Sequence, residues 1–415
     1  MPNSKQNGTE RTVNSTQSGT ALPRGGFPQK LVYAARVLPG LAWQRLKRSV
    51  PEGKVHLIIA LADHFEPAIV PGNGRARAAY SEQEARMERW CREYPRVVDK
   101  WRDSDGRPFI HSYFYPAEQY DRGHISRLAD HCRAGWGEIE VHLHHGIPTP
   151  DNAANLRRTL VTFRDTLALE HGCLSGMDDQ REPHFCFVHG NFALANAAGG
   201  FGCGVDDELQ ILAETGCMAD LTLPTNPFNP AQRSMVNSLY ECRLPLSERA
   251  AYRSGIALAR GRVPSKFPLM LQGPLRISFV PGALRPRIDN GAFTAKNPPT
   301  VQRLQTWKRA RIAVEGKPDW IFIKLHCHSM DPEQEDAVLG AGFRSFLESL
   351  VSGAAERGEI LHFVSAREMV NIVLAACDGK EGSPGDYRDY RFKRWRDLNH
   401  YSSVAGIRSQ TVGKN

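Results

Sequence analysis

The chain of 415 residues has no apolar run approaching the roughly 18 residues of a membrane-crossing helix. Its nine cysteines, at 91, 132, 173, 186, 203, 217, 242, 327 and 377, are odd in number and include no Cys-x-x-Cys pair, which excludes a disulfide framework or zinc ribbon. No Gly-x-Gly-x-x-Gly and no Walker sequence is present, so the phosphate-cradling turns of dinucleotide and nucleotide enzymes are missing. Residues 1–26 lack the continuous apolar core of a secretion signal and are rich in Ser, Thr, Asn, Gly and Gln. Blocks of one charge are absent too. Lys and Arg outnumber Asp and Glu by 53 to 45, a net charge of +8, but they are dispersed, which disfavours a nucleic-acid surface. What remains is an ordinary globular composition, 41% hydrophobic and 24% charged. These absences predict a reduced, cytoplasmic protein without stable membrane insertion or a nucleic-acid partner; they leave the oligomeric state open.

What the chain does have is histidine in a telling arrangement. Glu138 to Gly146 reads Glu-Ile-Glu-Val-His-Leu-His-His-Gly. Side chains alternate along a strand, so His142 and His144 share one face while His145 begins the loop that Gly146 opens. Two imidazoles fixed on one strand are a metal-ligand spacing, and a catalytic centre needs a third ligand and an open position.

The rest of the sequence alternates strands with helices. Val55 to Ala62 is a buried strand ending in Asp63-His64-Phe65-Glu66-Pro67, and Phe109 to Tyr115, His184 to His189, Cys217 to Pro224, Asp319 to Leu325 and Leu361 to Val364 are further strands. Leu156, Leu160, Phe163 and Leu167 mark one face of a helix, and Asp331, Pro332 and Gln334 carry the signature of a helix start. Such alternation predicts parallel β/α units, and the missing phosphate turn favours a barrel over a doubly wound sheet. The predicted organisation is a disordered arm (1–28), a leading helix (29–53), a β/α barrel (54–376) with an irregular insertion (226–265), and a polar tail (377–415).

In a barrel the strand ends gather at one rim. Asp63, His64, His142 and His144 are the candidate metal ligands, with Asp63 left free to serve as general base. His145 is a substitute ligand if the strand end bulges. His189, His326 and His328 are candidates to protonate a leaving group or brace an oxyanion, against an equally weighted structural role for each. Asn191 is a candidate donor to a substrate oxygen. His56, His111, His124, His131, His171, His184 and His362 have no such placement and read as structural or surface residues. Cys327 between two histidines is a weak nucleophile candidate, because a Cys-His pair must meet in space.

The order of these motifs resembles the polysaccharide deacetylase superfamily. Ala62-Asp63-His64 falls where that family has an acidic pair of base and ligand, Glu138 to His142 where it has its metal histidines, and Leu325-His326 where a late Leu-His supplies the general acid. His189-Gly190-Asn191, Gly216 to Asp220, Leu223-Pro224, Gln272-Gly273-Pro274 and Lys324-Leu325-His326 are similar to a branch encoded with bacterial surface-polysaccharide genes. The resemblance spans roughly residues 54–376 and implies a distorted seven-stranded barrel, a divalent metal, zinc foremost, and hydrolysis of an N- or O-acetylated carbohydrate or polysaccharide precursor. This chain departs from the family in having His64 for the second acidic residue, His-x-His-His for His-x-x-x-His, and no Arg-x-Pro motif after the next strand. The alternatives are an amidohydrolase or phosphoesterase, whose His-x-His usually stands on the first strand, and a non-catalytic saccharide-binding or assembly protein.

Overall fold

The computed structural model describes residue 35 and residues 39–398 except 45, 74–75, 226–228, 230, 233–234 and 280–285. The expected disordered arm lies outside the described residues. Residues 39–44 and 46–47 are helical within the expected leading helix, and Trp43 and Leu46 on it are exposed. Among the described residues no helix is long and apolar enough to cross a membrane.

A mixed α/β architecture is built on one ten-stranded sheet. Its strands are β1 (Val55–His64), β2 (His111–Pro116), β3 (Gly137–Leu143), β4 (Phe185–His189), β5 (Cys217–Asp220), β6 (Leu239–Cys242), β7 (Gly255–Ala257), β8 (Leu269–Leu271), β9 (Trp320–Cys327) and β10 (Glu359–Phe363). The order is β9-β1-β2-β3-β4-β5-β8-β6-β7, with β10 also paired to β1. Neighbours are parallel except around β6, which is antiparallel to β7 and β8. The stretch expected as an irregular insertion thus contributes two short antiparallel strands. Besides the leading helical residues, the helices among the described residues are α1 (Tyr80–Val98), α2 (Arg122–Arg133), α3 (Ala153–Asp165), α4 (Glu208–Glu214), α5 (Val301–Lys308), α6 (Asp336–Leu339), α7 (Ala341–Ser352) and α8 (Ala366–Cys377).

Local chemistry sets several helix starts. The Asp121, Asn152 and Thr300 side chains each accept a backbone N–H three residues on, opening α2, α3 and α5. A full capping box opens α8, where Ser365 and Glu368 bond reciprocally. The helix start expected at Asp331 is corrected. Asp331 accepts the Gln334 N–H on its carbonyl and the Glu333 N–H on its carboxylate, each at 2.8 Å, and so closes a turn instead. Helix begins only at Asp336 and is broken at Gly340, whose backbone is extended.

The two faces of the sheet pack differently, and β1 shows why. Leu57, Ile59 and Leu61 join a core with residues of α1 through α7, whereas Ile58, Ala60 and Ala62 join a second core whose helix is α8. Every residue of α8 is buried. Beside β1 the sheet forks, since β10 pairs with Val55 to Ile59 and β2 with Ala62 to His64. On the far edge of β10 the Leu361 N–H donates to Ser104 Oγ and the Phe363 N–H to Asp103 Oδ2. The tail is packed as far as Leu398, with Arg388, Phe392, Trp395 and Leu398 all buried.

Candidate metal centre

The alternation that divides the two cores also divides the candidate residues. His64 follows Ile58, Ala60 and Ala62 on the α8 face, and His142, His326 and His328 approach from the ends of β3 and β9. The rings of His64 and His142 are 4.7 Å apart, centre to centre, and those of His64 and His328 are 4.4 Å apart. Among them stands Glu66, which sequence reasoning did not single out. Its Oε1 lies 3.2 Å from His142 Nε2, 3.6 Å from His144 Nε2 and 3.9 Å from His64 Nδ1. His64, Glu66 and His142 offer ligand atoms close enough together to hold one ion.

Two of the imidazoles are oriented by hydrogen bonds at Nδ1. The Nδ1–H of His142 donates to the Val188 carbonyl at 2.8 Å, and a carbonyl can only accept, so Nε2 is left to present a lone pair. His144 Nδ1–H donates to Glu118 Oε1 at 2.6 Å, which aims its Nε2 at Glu66 in the same way. Buried His64 Nδ1 has no hydrogen-bond partner and faces the same carboxylate. An orphaned buried nitrogen beside a carboxylate and an oriented imidazole could hold a metal ion. His144 is 31% exposed and Glu118 30%, so the group opens to solvent on that side while Glu66 and His142 stay buried. Phe192 adds an apolar wall 5.4 Å from the His64 ring.

Electrostatics in the group are strong. Burial pushes the Glu66 carboxyl up, but His144 and His142 outweigh it and hold the group at about 2. Burial lowers His144, yet Glu66 and Glu118 carry it up to about 9. His64 is driven well below its ordinary value, first by burial and then by the neighbouring histidines. His326 is likewise held well below, by burial and then Lys324, and its buried Nδ1 has no partner. Lys324 spans the interior to donate to the Leu221 carbonyl at 2.7 Å, with burial pulling its ammonium down to about 7.

Asp63, expected beside His64 as ligand or base, is not brought to this group. It is turned to the other face of β1, as adjacent residues in a strand must be. There Oδ2 accepts His111 Nε2–H at 2.9 Å and Oδ1 accepts the Ser329 N–H at 2.9 Å, while the Ser329 hydroxyl also donates to Oδ2. Burial alone would raise this carboxyl, but His111 and Ser329 outweigh it and keep it lowered.

His189 and His145 are parted from the first group by the same alternation. They meet Cys203 and Glu208 in a second buried set. Asn191, expected to face substrate, instead donates from Nδ2 to the His145 carbonyl at 2.7 Å and the Gly202 carbonyl at 3.2 Å, tying two loops together. One sequence signal pointed to Glu66, its place two residues after His64. None links Cys203 or Glu208 to His145. No family model, curated protein or solved structure matches the chain.

Proposed function

We propose that the protein is a metal-dependent hydrolase acting on an acetylated carbohydrate or polysaccharide precursor, as its resemblance to the polysaccharide deacetylases implies. The observation that carries this reading is the convergence of His64, Glu66 and His142, with His144 at the mouth, at the carboxyl ends of parallel strands. Ligands bind at that end in β/α proteins. His64, Glu66 and His142 would hold the ion, for which zinc suits the mixed nitrogen and oxygen donors. When bound, such an ion polarises an acyl carbonyl and makes a water acidic enough to act near neutral pH.

The chain's own side chains supply the rest. Val188 and Glu118 hold the imidazoles in position, and Phe192 keeps bulk water from one side. With Asp63 engaged on the opposite face, proton transfer falls to the end of β9. Neutral His326 can take a proton at its unpartnered Nδ1 and then hand it to the leaving group, and His328 stands against His64. A distorted barrel is the finer fold reading. It is supported by the α8-side core, which collects side chains of β1, β2, β4, β5, β8 and β9 around one buried helix, and by Lys324 reaching from β9 to the end of β5.

The test is acetate release from N- and O-acetylated oligosaccharides by the purified protein and by His142→Ala. Release that depends on added zinc and falls at least about a hundredfold in the variant is expected. Equal release by both proteins, or none by either when loaded with metal, overturns the reading.

A further inference from the structure

We propose that His145, His189, Cys203 and Glu208 form a second metal site, closed and structural, binding a zinc-like ion through a thiolate, two imidazoles and a carboxylate. It goes beyond the proposed hydrolase and does not depend on it. The four residues come from separate places: the loop after β3, the end of β4, a glycine-rich loop and the first turn of α4. All four are buried and their ligand atoms lie within 4.8 Å of one another.

The individual spacings suit a tetrahedral ion. His145 Nε2 lies 3.1 Å from His189 Nε2 and 2.9 Å from Glu208 Oε1. His189 Nε2 is 3.6 Å from Glu208 Oε1, and Cys203 Sγ is 3.5 Å from Glu208 Oε2. Two nitrogens on one tetrahedral zinc stand about 3.3 Å apart, and a nitrogen and an oxygen about as far, while Cys203 Sγ lies against the second oxygen of the same carboxylate. The charges also close, since one thiolate and one carboxylate balance a divalent ion. A sulfur ligand in the set favours zinc over magnesium or calcium.

Hydrogen bonding alone leaves this group in conflict. His145 Nδ1 faces Asp151 Oδ2 at 3.0 Å and its Nε2 faces Glu208, so two carboxylates ask it to donate at both nitrogens. His189 Nδ1 accepts the Asn191 N–H at 3.2 Å, which puts the His189 proton on Nε2. Two N–H groups then point at each other across 3.1 Å. An ion removes the conflict, because both Nε2 atoms present lone pairs to it while His145 Nδ1–H still donates to Asp151, the carboxylate–histidine–metal arrangement. The contacts given up are the Asn191 amide to His189, His145 Nε2 to Glu208, and the Cys203 thiol to Glu208 and Val205.

The surrounding loops are built to bring Cys203 in. Gly199, Gly200, Gly202 and Gly204 all have positive φ, and the Gly202 N–H donates to the Gly146 carbonyl at 3.1 Å. A Cβ on Gly146 would stand 2.2 Å from the Cys203 carbonyl oxygen, so only glycine permits this approach. His144 and His145 are consecutive, and an ion held by His145 would pin the strand end that presents His142 and His144.

Cobalt substitution separates this site from the first group, which has no cysteine, and Cys203→Ser separates it from the buried Asp63, His111 and Cys327. The cobalt-loaded full chain is expected to show a near-ultraviolet thiolate-to-cobalt band that persists in His142→Ala and disappears in Cys203→Ser. In the His142→Ala background, zinc is expected to raise the thermal midpoint, and Glu208→Gln to weaken its affinity at least about tenfold. No band in the wild-type chain, a band that survives Cys203→Ser, or a zinc response that Glu208→Gln leaves unchanged overturns the proposal. If Cys203→Ser does not fold, the Glu208→Gln comparison decides.

Discussion

Arg367 lies at the first turn of α8 with 2% of its side chain exposed, and it clamps the helix to the strand that carries the histidines. Its Nη2 and Nε donate to the two oxygens of Glu138, at the start of β3, at 2.7 and 3.0 Å. Replacing it with methionine keeps the packing volume and removes the charge. Its other partners survive the change. The Phe392 and Arg388 carbonyls each also accept from Asn371 Nδ2 at 2.8 Å, and Asp389 is 57% exposed. The loss therefore concentrates on Glu138, which keeps only the Ser365 hydroxyl at 2.7 Å. Breaking one side of a buried ion pair costs about 3–5 kcal/mol. Part of that cost depends on pH, and its sign follows from Glu138. In the native chain burial raises this carboxyl, but Arg367 outweighs it and holds it lowered. Without Arg367 burial is opposed only by the Ser365 hydroxyl and the charge of Arg394, so the folded pKa should rise above the unfolded value of about 4.3. The variant should lose little at pH 4 and progressively more as pH rises through the new folded pKa. Urea denaturation of Arg367→Met at pH 4.5 and pH 8 measures this, with Glu138→Gln/Arg367→Met as the partner experiment. A loss identical at both pH values, or a double variant no more stable than the single one at pH 8, would refute the reasoning.

Three further outcomes are expected. In a Cys203→Ser background, zinc at about 100 times its Kd should stabilise the chain by about 2.7 kcal/mol, and Glu66→Gln, if it weakens binding a hundredfold, should leave about 0.4 kcal/mol; equal thermal shifts would remove Glu66 from the ligand set. For Asp105, burial raises the carboxyl, but bonds from His362 and Arg388 hold it at about 2, so its stabilisation is present above the unfolded pKa of about 3.9 and lost as pH falls towards 2. Asp105→Asn should flatten acid denaturation across that window, and an unchanged slope counts against the assignment. A Cβ at Gly190 would stand 2.5 Å from His144 Nε2, so Gly190→Ala should swing that ring off Glu118 and weaken zinc binding at least about tenfold while the far-ultraviolet spectrum is kept.

The shared face of His142 and His144 was legible in the sequence because period two is a property of any strand. The same period separates Asp63 from His64, and reading both as members of one mouth overlooked it. Glu66 could have been found two places beyond His64. Cys203 and Glu208 could not, because they are joined to His145 only through a loop of positive-φ glycines, and loop closure leaves no periodic trace. β6 and β7 were illegible for a different reason, with four and three residues being too few for alternation to show. The false helix start at Asp331 shows that one cap pattern serves turns and helices alike.

The far edge of β10 also bears on how this chain meets its neighbours. An unpaired strand edge is a template onto which another molecule can add a strand. At Leu361 and Phe363 the donors that would recruit it are already satisfied by Ser104 and Asp103. Two side chains thus end the sheet where a strand would otherwise continue it, and protect the fork beside β1 from edge-to-edge aggregation.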